Sequence, residues 1–419
     1  MLRPTARIHF FGKGLTATIA EYASKALLTG NRANFHYVDT HIAYLVAESM
    51  NEDDLLFVCS LSGNTHQIVR MAQIAKGRMA REFADFENPH FPFGSKTTVL
   101  KKKSRRFVVE AVMILCIGEI LVDVINEKTD RNHFSRFLGG APFNVACAIT
   151  KFGGEAGFIG NIGNDQLGSF LRQEADNQNL KYLKLDVKSQ RDTSWAMVEI
   201  KKDGERKFRF QRRNGADFCF DPKTFDFSIF DQADIIHLGS LMLSEKAGRD
   251  FFDRAIYEIK NRGKKFSFDI NYRKSIFRSV EEAFLIYQNY IPLADIIKYS
   301  EEELVAFTGT SDYSSTLFKL SEKDQLVCLT LGGRGSVFYW NGITELVPGI
   351  DVKPVDTTGA GDAFFGGILS KLEKMDLTAL TKEKLREIFR FGNIAGGLTT
   401  LSKGAISSLP SLSEIYKFQ

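Results

Sequence analysis

The sequence predicts an α/β protein: a parallel sheet sandwiched between helices and covered by a small β lid, with a shorter α/β unit in front. Three observations carry this. From Asp234 onward, apolar runs of strand length at 235–238, 266–268, 296–299 and 326–331 alternate with helical patterns such as 251–259. That is the rhythm of a parallel sheet with helices on both faces. Two glycine-rich stretches, at 139–146 and 356–362, each open a helical pattern. The segment 193–210 alternates about Lys202-Asp203-Gly204-Glu205, where Asp-Gly is a strong hairpin signal.

The first unit occupies residues 1–83. Ile8-His9-Phe10-Phe11 reads as a strand ending at Gly12-Lys13-Gly14, and 17–28 as a helix stopped by Gly30-Asn31. Leu55-Leu56-Phe57-Val58-Cys59 reads as a second strand. It runs into Ser60-Leu61-Ser62-Gly63-Asn64-Thr65 and then a helical pattern through Ile68, Val69, Ala72 and Ala75. Strand, hydroxyl-rich loop and helix together make an anion-binding arrangement. Gly12-Lys13-Gly14-Leu15-Thr16 lacks Walker A spacing, so no P-loop is predicted. So small a parallel sheet leaves edges and one face poorly covered. The expectation is a remnant rather than a working unit.

Residues 84–110 read as a linker. Asn88-Pro89, Phe91-Pro92 and Gly94-Ser95 are breakers, and Lys101-Lys102-Lys103-Ser104-Arg105-Arg106 reads as solvated charge. The main domain is predicted over 111–419. Met113-Ile114-Leu115-Cys116-Ile117-Gly118 is a buried strand, followed by Glu119-Ile120-Leu121-Val122-Asp123. Met113 stands where an initiator would, which predicts a domain complete by itself. Asp123 is expected to end a strand, where an acceptor-only carboxylate suits a ligand's hydroxyl groups; capping a turn is the alternative. Segments 124–138 and 193–210 are predicted to form the lid, which would exclude water. Ligands of parallel sheets gather at the carboxyl ends of strands. Asp269-Ile270-Asn271-Tyr272-Arg273, Ser300-Glu301-Glu302-Glu303 and Thr330-Leu331-Gly332-Gly333-Arg334-Gly335 fall there.

The chemistry centres on Asp356-Thr357-Thr358-Gly359-Ala360-Gly361-Asp362. Apolar residues at Phe364, Phe365, Ile368, Leu369 and Leu372 place it at a helix N-terminus. First-turn N–H groups lack intrahelical partners, and small residues let an anion approach them. A carboxylate beside such a hole would repel a phosphate. Asp362 therefore suits a base that takes a proton from an attacking hydroxyl. A Gly-rich turn with Asp in the first helical turn is the plainer alternative.

With 44% hydrophobic and 25% charged residues, the chain reads as an ordinary soluble globular protein. A net charge of +4 over 419 residues gives no case for nucleic-acid binding. No run approaches a membrane span, and the start lacks a secretory pattern. Cys59, Cys116, Cys147, Cys219 and Cys328 show no paired spacing and read as thiols of a reducing cytoplasm.

Together, Gly139-Gly140-Ala141-Pro142-Phe143-Asn144-Val145-Ala146 and the 356–362 stretch resemble the paired signatures of ribokinase-like (pfkB-type) carbohydrate kinases, over residues 113–419. The resemblance implies a ribokinase-like fold and ATP-dependent phosphoryl transfer to a sugar hydroxymethyl group. It implies Asp362 as base and Gly359, Ala360 and Gly361 as anion hole. Asp123, Gly139, Gly140 and Asn144 would contact sugar, and Arg273 would approach the transferring phosphate. Thr330, Gly332, Gly335 and Asn393 would lie along ATP. Glu303 would orient Mg2+ through water, although Ser300 stands where the family's motif usually has Asn. A monovalent cation such as K+ and a homodimer through the β lid are compatible with the family.

Gly140-Ala141-Pro142-Phe143-Asn144, Arg213-Asn214-Gly215-Ala216-Asp217 and 269–273 look most like fructokinases, since ribokinases more often carry Lys-Gly in place of Pro142-Phe143, so fructose is the expected acceptor. The runner-up is 2-dehydro-3-deoxygluconate or a related sugar acid, whose carboxylate would want Arg209, Arg212 or Arg213. A nucleoside or vitamin kinase on the same fold, and a non-enzymatic sugar-phosphate sensor, are the other readings. The first unit resembles the SIS (sugar isomerase) domain of sugar-phosphate-responsive regulators. Ser60, Ser62 and Thr65 match its phosphate loop, but the further strands and helices of that domain are missing.

Overall fold

The structure, a computed structural model, describes residues 8–12, 21, 24, 34–37, 39–49, 55–60, 83–88, 95–100, 113–126, 134–200, 206–322 and 324–418. The chain divides into two compact units, Met1–Ala111 and Val112–Gln419.

In the first unit β1 (Ile8–Gly12) pairs in parallel with β2 (Asn34–Tyr37) and β3 (Leu55–Ser60). Helix α1 (Thr40–Ser49), which the sequence reading did not predict, follows β2. Two further strands, β4 (Phe83–Asn88) and β5 (Ser95–Leu100), extend the sheet antiparallel in the order β2-β1-β3-β5-β4. They occupy part of the stretch read as linker, and correct that reading. The breakers from Asn88-Pro89 to Gly94 connect the two strands of a hairpin. Phe83 and Phe86 on one side, and Thr97, Thr98 and Val99 on the other, are strand-favouring residues. Ser60 ends β3; Ser62, Thr65 and residues 101–110 lie outside the described residues.

The second unit is built on a nine-stranded sheet. Its first strands in chain order are β6 (Met113–Ile117), β9 (Ala156–Gly163) and β10 (Tyr182–Lys188). Then come β13 (Ala233–Leu238), β14 (Lys265–Asp269), β15 (Ile296–Ser300) and β16 (Leu326–Thr330), followed by β17 (Gly335–Trp340) and β18 (Ile343–Pro348). The spatial order is β10-β9-β6-β13-β14-β15-β16-β17-β18. Pairing is parallel from β10 to β16 and antiparallel from there to β18. Both faces are buried, which is why the strands read as continuous apolar runs. In β6, Met113, Leu115 and Ile117 enter one core while Ile114 and Cys116 enter the other, the period-2 alternation of a strand.

On one face the helix at Lys246–Asn261 buries Phe251, Phe252, Ala255 and Ile259. On the other the helix at Ala360–Leu372 buries Phe364, Phe365, Ile368 and Leu369. The lid is a separate four-stranded sheet of β7 (Leu121–Asn126), β8 (Phe134–Gly139), β11 (Trp195–Ile200) and β12 (Arg206–Gln211), ordered β12-β11-β7-β8. Asp123 therefore lies inside a lid strand, paired with Phe137 and Ala196, rather than at a strand end. The Asp203-Gly204 turn lies outside the described residues.

Among the described residues no helix is long and apolar enough to cross a membrane.

Candidate active site

The loop before the Ala360–Leu372 helix is fixed by its own acidic residue. Asp356 is buried; its Oδ1 accepts from Thr358 N at 2.7 Å and its Oδ2 from Gly404 N at 3.0 Å. The backbone N–H groups of Val355 and Asp356 both donate to Thr400 O. Gly359 then caps the helix in the left-handed region, with φ 77°. A Cβ there would lie 2.5 Å from Cβ of Ala405, so both conformation and space demand glycine. Among the described residues no side chain caps this helix. The N–H groups of Gly361 and Asp362 take no hydrogen bond among the described residues. They point their partial positive charge at whatever occupies the cavity in front.

Asn144 comes from the other glycine-rich stretch, in the helix Ala141–Lys151. Gly140 caps that helix at φ 109°, and a Cβ on it would meet Glu119 O at 2.4 Å. Behind it, a Cβ on Gly139 would meet Oδ2 of Asp123 at 2.4 Å. The two glycines let the lid strand and the helix close on each other. Asn144 Nδ2 donates to Asp362 Oδ2 at 2.8 Å, so the two signatures meet directly. Desolvation pushes the Asp362 carboxyl above the usual carboxylate range. The Asn144 hydrogen bond, Lys298 and Arg273 pull it back, while Asp269 adds to the rise.

These groups line one cavity of about 650 Å³. Asp123, Gly140, Asn144, Arg273 and Glu303 line it, as do the anion-hole residues Gly359, Ala360 and Gly361 with Asp362. Thr330, Gly332, Gly335 and Asn393 line it too. Gly139 stands one residue behind. A Cβ on Gly332 or Gly333 would meet nothing within 4 Å, so this loop presents bare backbone to the cavity. Asn393 is buried on its helix and donates through Nδ2 to Val347 O and Pro348 O at 2.9 and 3.1 Å. Its amide nitrogen braces the end of β18, and is not turned to solvent.

Glu303 is likewise more occupied than its sequence motif suggests. Its Oε1 accepts from Tyr272 N at 2.7 Å and its Oε2 from Ser300 N at 2.8 Å. Ser300 Oγ accepts from Glu303 N, completing a capping box on the helix Glu301–Thr308. Among the described residues no group of three or more His, Cys, Asp or Glu is arranged to hold a metal. A single buried carboxylate with spare lone pairs suits Mg2+ that arrives on a nucleotide and keeps its waters.

Sequence reasoning missed two features. Lys298 Nζ donates to both oxygens of Asp269 at 2.9 Å, inside the cavity wall. A lysine within Ile296-Ile297-Lys298-Tyr299 was the available signal, because an unpaired cation is rarely buried. Glu119 is fully buried, with neither carboxylate oxygen hydrogen-bonded among the described residues, and burial raises its pKa to about 8. Arg212 is held by Asp217 at 2.9 Å through Nε and 2.5 Å through an Nη, and Asp217 also accepts from Ser194. None of Arg209, Arg212 and Arg213 lines the cavity.

A model of the pfkB family of carbohydrate kinases matches residues 112–412, and an SIS domain model matches residues 1–81. The chain is 34% identical over 310 residues to fructokinase-2 of Solanum lycopersicum, covering 72% of this chain and 94% of that one. It is 35% identical over 313 residues to the probable fructokinase-7 of Arabidopsis thaliana, covering 72% and 91%. Fructokinase of Xylella fastidiosa with bound ATP superposes with a TM-score of 0.66 at 28% identity, over 74% of this chain and 98% of that one. A double mutant of Vibrio cholerae O395 fructokinase, solved with fructose, ADP and potassium ion, gives 0.66 at 30% identity, over 74% and 98%.

Proposed function

The chain belongs to the pfkB family of carbohydrate kinases, and on that footing we propose that it phosphorylates fructose at its terminal hydroxymethyl group with ATP, giving fructose 6-phosphate and ADP. The observation that carries this reading is the Asn144–Asp362 hydrogen bond, which sets a carboxylate beside unpaired helix N–H groups in one cavity.

Fructose lies toward Asp123, Gly140 and Asn144, and ATP along Thr330, Gly332, Gly335 and Asn393. Asp362 accepts the proton as the hydroxyl oxygen attacks the γ-phosphorus. The new O–P bond forms, the bond to the β,γ-bridging oxygen breaks, and its electron pair leaves with ADP. The N–H groups of Gly361 and Asp362 and the guanidinium of Arg273 stabilise the phosphoryl oxygens in transit, the largest single effect in chemistry of this kind. Mg2+, oriented by Glu303 through water, would neutralise nucleotide charge when bound; K+ is a candidate monovalent ion, as it is bound in the Vibrio structure.

A neutral acceptor is favoured over a sugar acid because no arginine of the 209–213 segment lines the cavity among the described residues. Arg212 is committed to Asp217. We place the enzyme in the cytoplasm, since Cys116, Cys147, Cys219 and Cys328 are free thiols. A second copy could meet the lid at its edge strand β8, where Phe134 is 45% exposed. The first unit is proposed to be dispensable for turnover.

The test is an acceptor panel on the purified full chain with coupled ADP detection, and phosphorus NMR of the product. Fructose should give the highest kcat/KM. A value at least about tenfold higher for 2-dehydro-3-deoxygluconate would replace fructose by the sugar acid.

A further inference from the structure

The Lys298–Asp269 pair has no evident reason to be there if it serves stability alone. Both side chains are almost fully buried, at 7% and 4% exposure. A buried ion pair gains little over a well-packed neutral pair of the same volume, because desolvation cancels most of the attraction.

Its position supplies a reason. A Cβ placed on Gly361 would lie 3.6 Å from Nζ of Lys298. The ammonium therefore stands against the first helical turn whose N–H groups face the cavity, and Lys298 itself lines that cavity. An ammonium has three donors in rotatable geometry. Asp269 takes two, and the third has no partner among the described residues. Asp269, Glu303 and Asp362 all press negative charge on this point, with Arg273 as the other nearby cation. A phosphoryl group entering here would meet excess negative charge if Lys298 were neutral.

We propose that Lys298 is a catalytic residue of the phosphoryl transfer, its third N–H donating to an oxygen of the γ-phosphoryl group in transit, with Asp269 as the residue that positions it. This rests on the kinase reading above. No proton leaves Lys298 and no bond to phosphorus forms on it; the proton of the attacking hydroxyl still goes to Asp362. Burial pulls the lysine pKa down, but Asp269 and Glu303 more than offset it and hold it above the usual range, so the cation persists. In this account Asp269 is a carboxylate kept to aim a charge. Its two bonds fix the ammonium, leaving a single free direction.

The direct variant, Lys298→Met, leaves Asp269 buried without its partner and can fail to fold. The paired variant Lys298→Met with Asp269→Asn removes both charges at nearly constant volume. On the full-length chain, calorimetry would measure Kd for ADP, and for ADP with tetrafluoroaluminate and fructose, beside kcat and Tm. The expected result is ADP affinity and Tm close to wild type, with kcat and affinity for the tetrafluoroaluminate complex each falling about 10²-fold. Should the pair not fold, Lys298→Gln, whose amide can still donate to Asp269, is read by the same titration. Retention of kcat and of analogue affinity within about threefold would overturn the proposal. An equal loss for ADP and for the analogue would also overturn it, since a group meeting only the transferring phosphoryl cannot weaken ADP. A wild-type chain that phosphorylates no sugar would instead strike the kinase reading itself, and this proposal with it.

Discussion

Asn144 Nδ2 donates to Asp362 Oδ2 across 2.8 Å, joining two residues 218 positions apart in the chain. Each sits in the first turn or two of a glycine-capped helix. The hydrogen bond fixes the carboxylate's orientation and favours its ionised form.

Removing that bond should therefore move the acid limb of the rate profile. Asp362 must be ionised to accept a proton, so kcat rises with pH through its pKa, which burial already holds above the ordinary carboxylate value. Asn144→Ala takes away a group that lowers this pKa, and the limb should shift to higher pH. The loss in kcat should be larger at pH 6 than at pH 8. A limb that stays in place in the pH–kcat profile would show that Asn144 does not tune Asp362.

Glu119 makes a second, independent pH prediction, this time on stability. Burial pushes its carboxyl pKa up to about 8 in the folded chain, from an ordinary value of 4.5. Between those values the folded state keeps a proton that the unfolded chain has shed. Stability is therefore full below pH 4.5 and is lost as pH rises toward 8, with a slope approaching about 1.4 kcal/mol per pH unit. Glu119→Gln mimics the protonated form and should remove this slope. Urea denaturation of both proteins at pH 6, 7 and 8 should show the variant gaining relative to wild type at each step. Parallel curves would rule out the buried neutral acid.

Much of this molecule was legible because its strands are buried on both faces. The runs at 235–238 and 296–299 needed no partner to be recognised, and they became β13 and β15. The glycines of 356–362 were legible for a local reason too, since Gly359 occupies a left-handed position that most side chains avoid. What escaped notice depends on partners distant in sequence. The strands β4 and β5 complete a sheet only through β3, and their turn residues looked like linker. Lys298 and Asp269 meet only because β14 and β15 are neighbours in register. Glu303 was read as a metal group although Ser300-x-x-Glu303 is also a capping box, which is what its backbone contacts form.

The catalytic unit should work without the first. β6 begins at Met113 inside the nine-stranded sheet, between β9 and β13, and every cavity-lining residue named above follows it in sequence. A unit of that size can bury its own core. A chain starting at Met113 should keep kcat/KM within about threefold of the full chain, roughly 0.7 kcal/mol in barrier. A loss beyond about tenfold would show that the first unit takes part in catalysis. So would a response to added sugar phosphate seen only with the full chain.

The most direct measurement is the turnover of Asp362→Asn with fructose and ATP, beside its affinity for ADP. The amide keeps the shape and can still pair with Asn144 by turning its oxygen toward Nδ2, but it cannot take the proton. The account predicts kcat lower by about 10²–10⁴-fold with ADP affinity and Tm near wild type. A variant whose kcat stays within about threefold of wild type would contradict the assignment of Asp362 as the base.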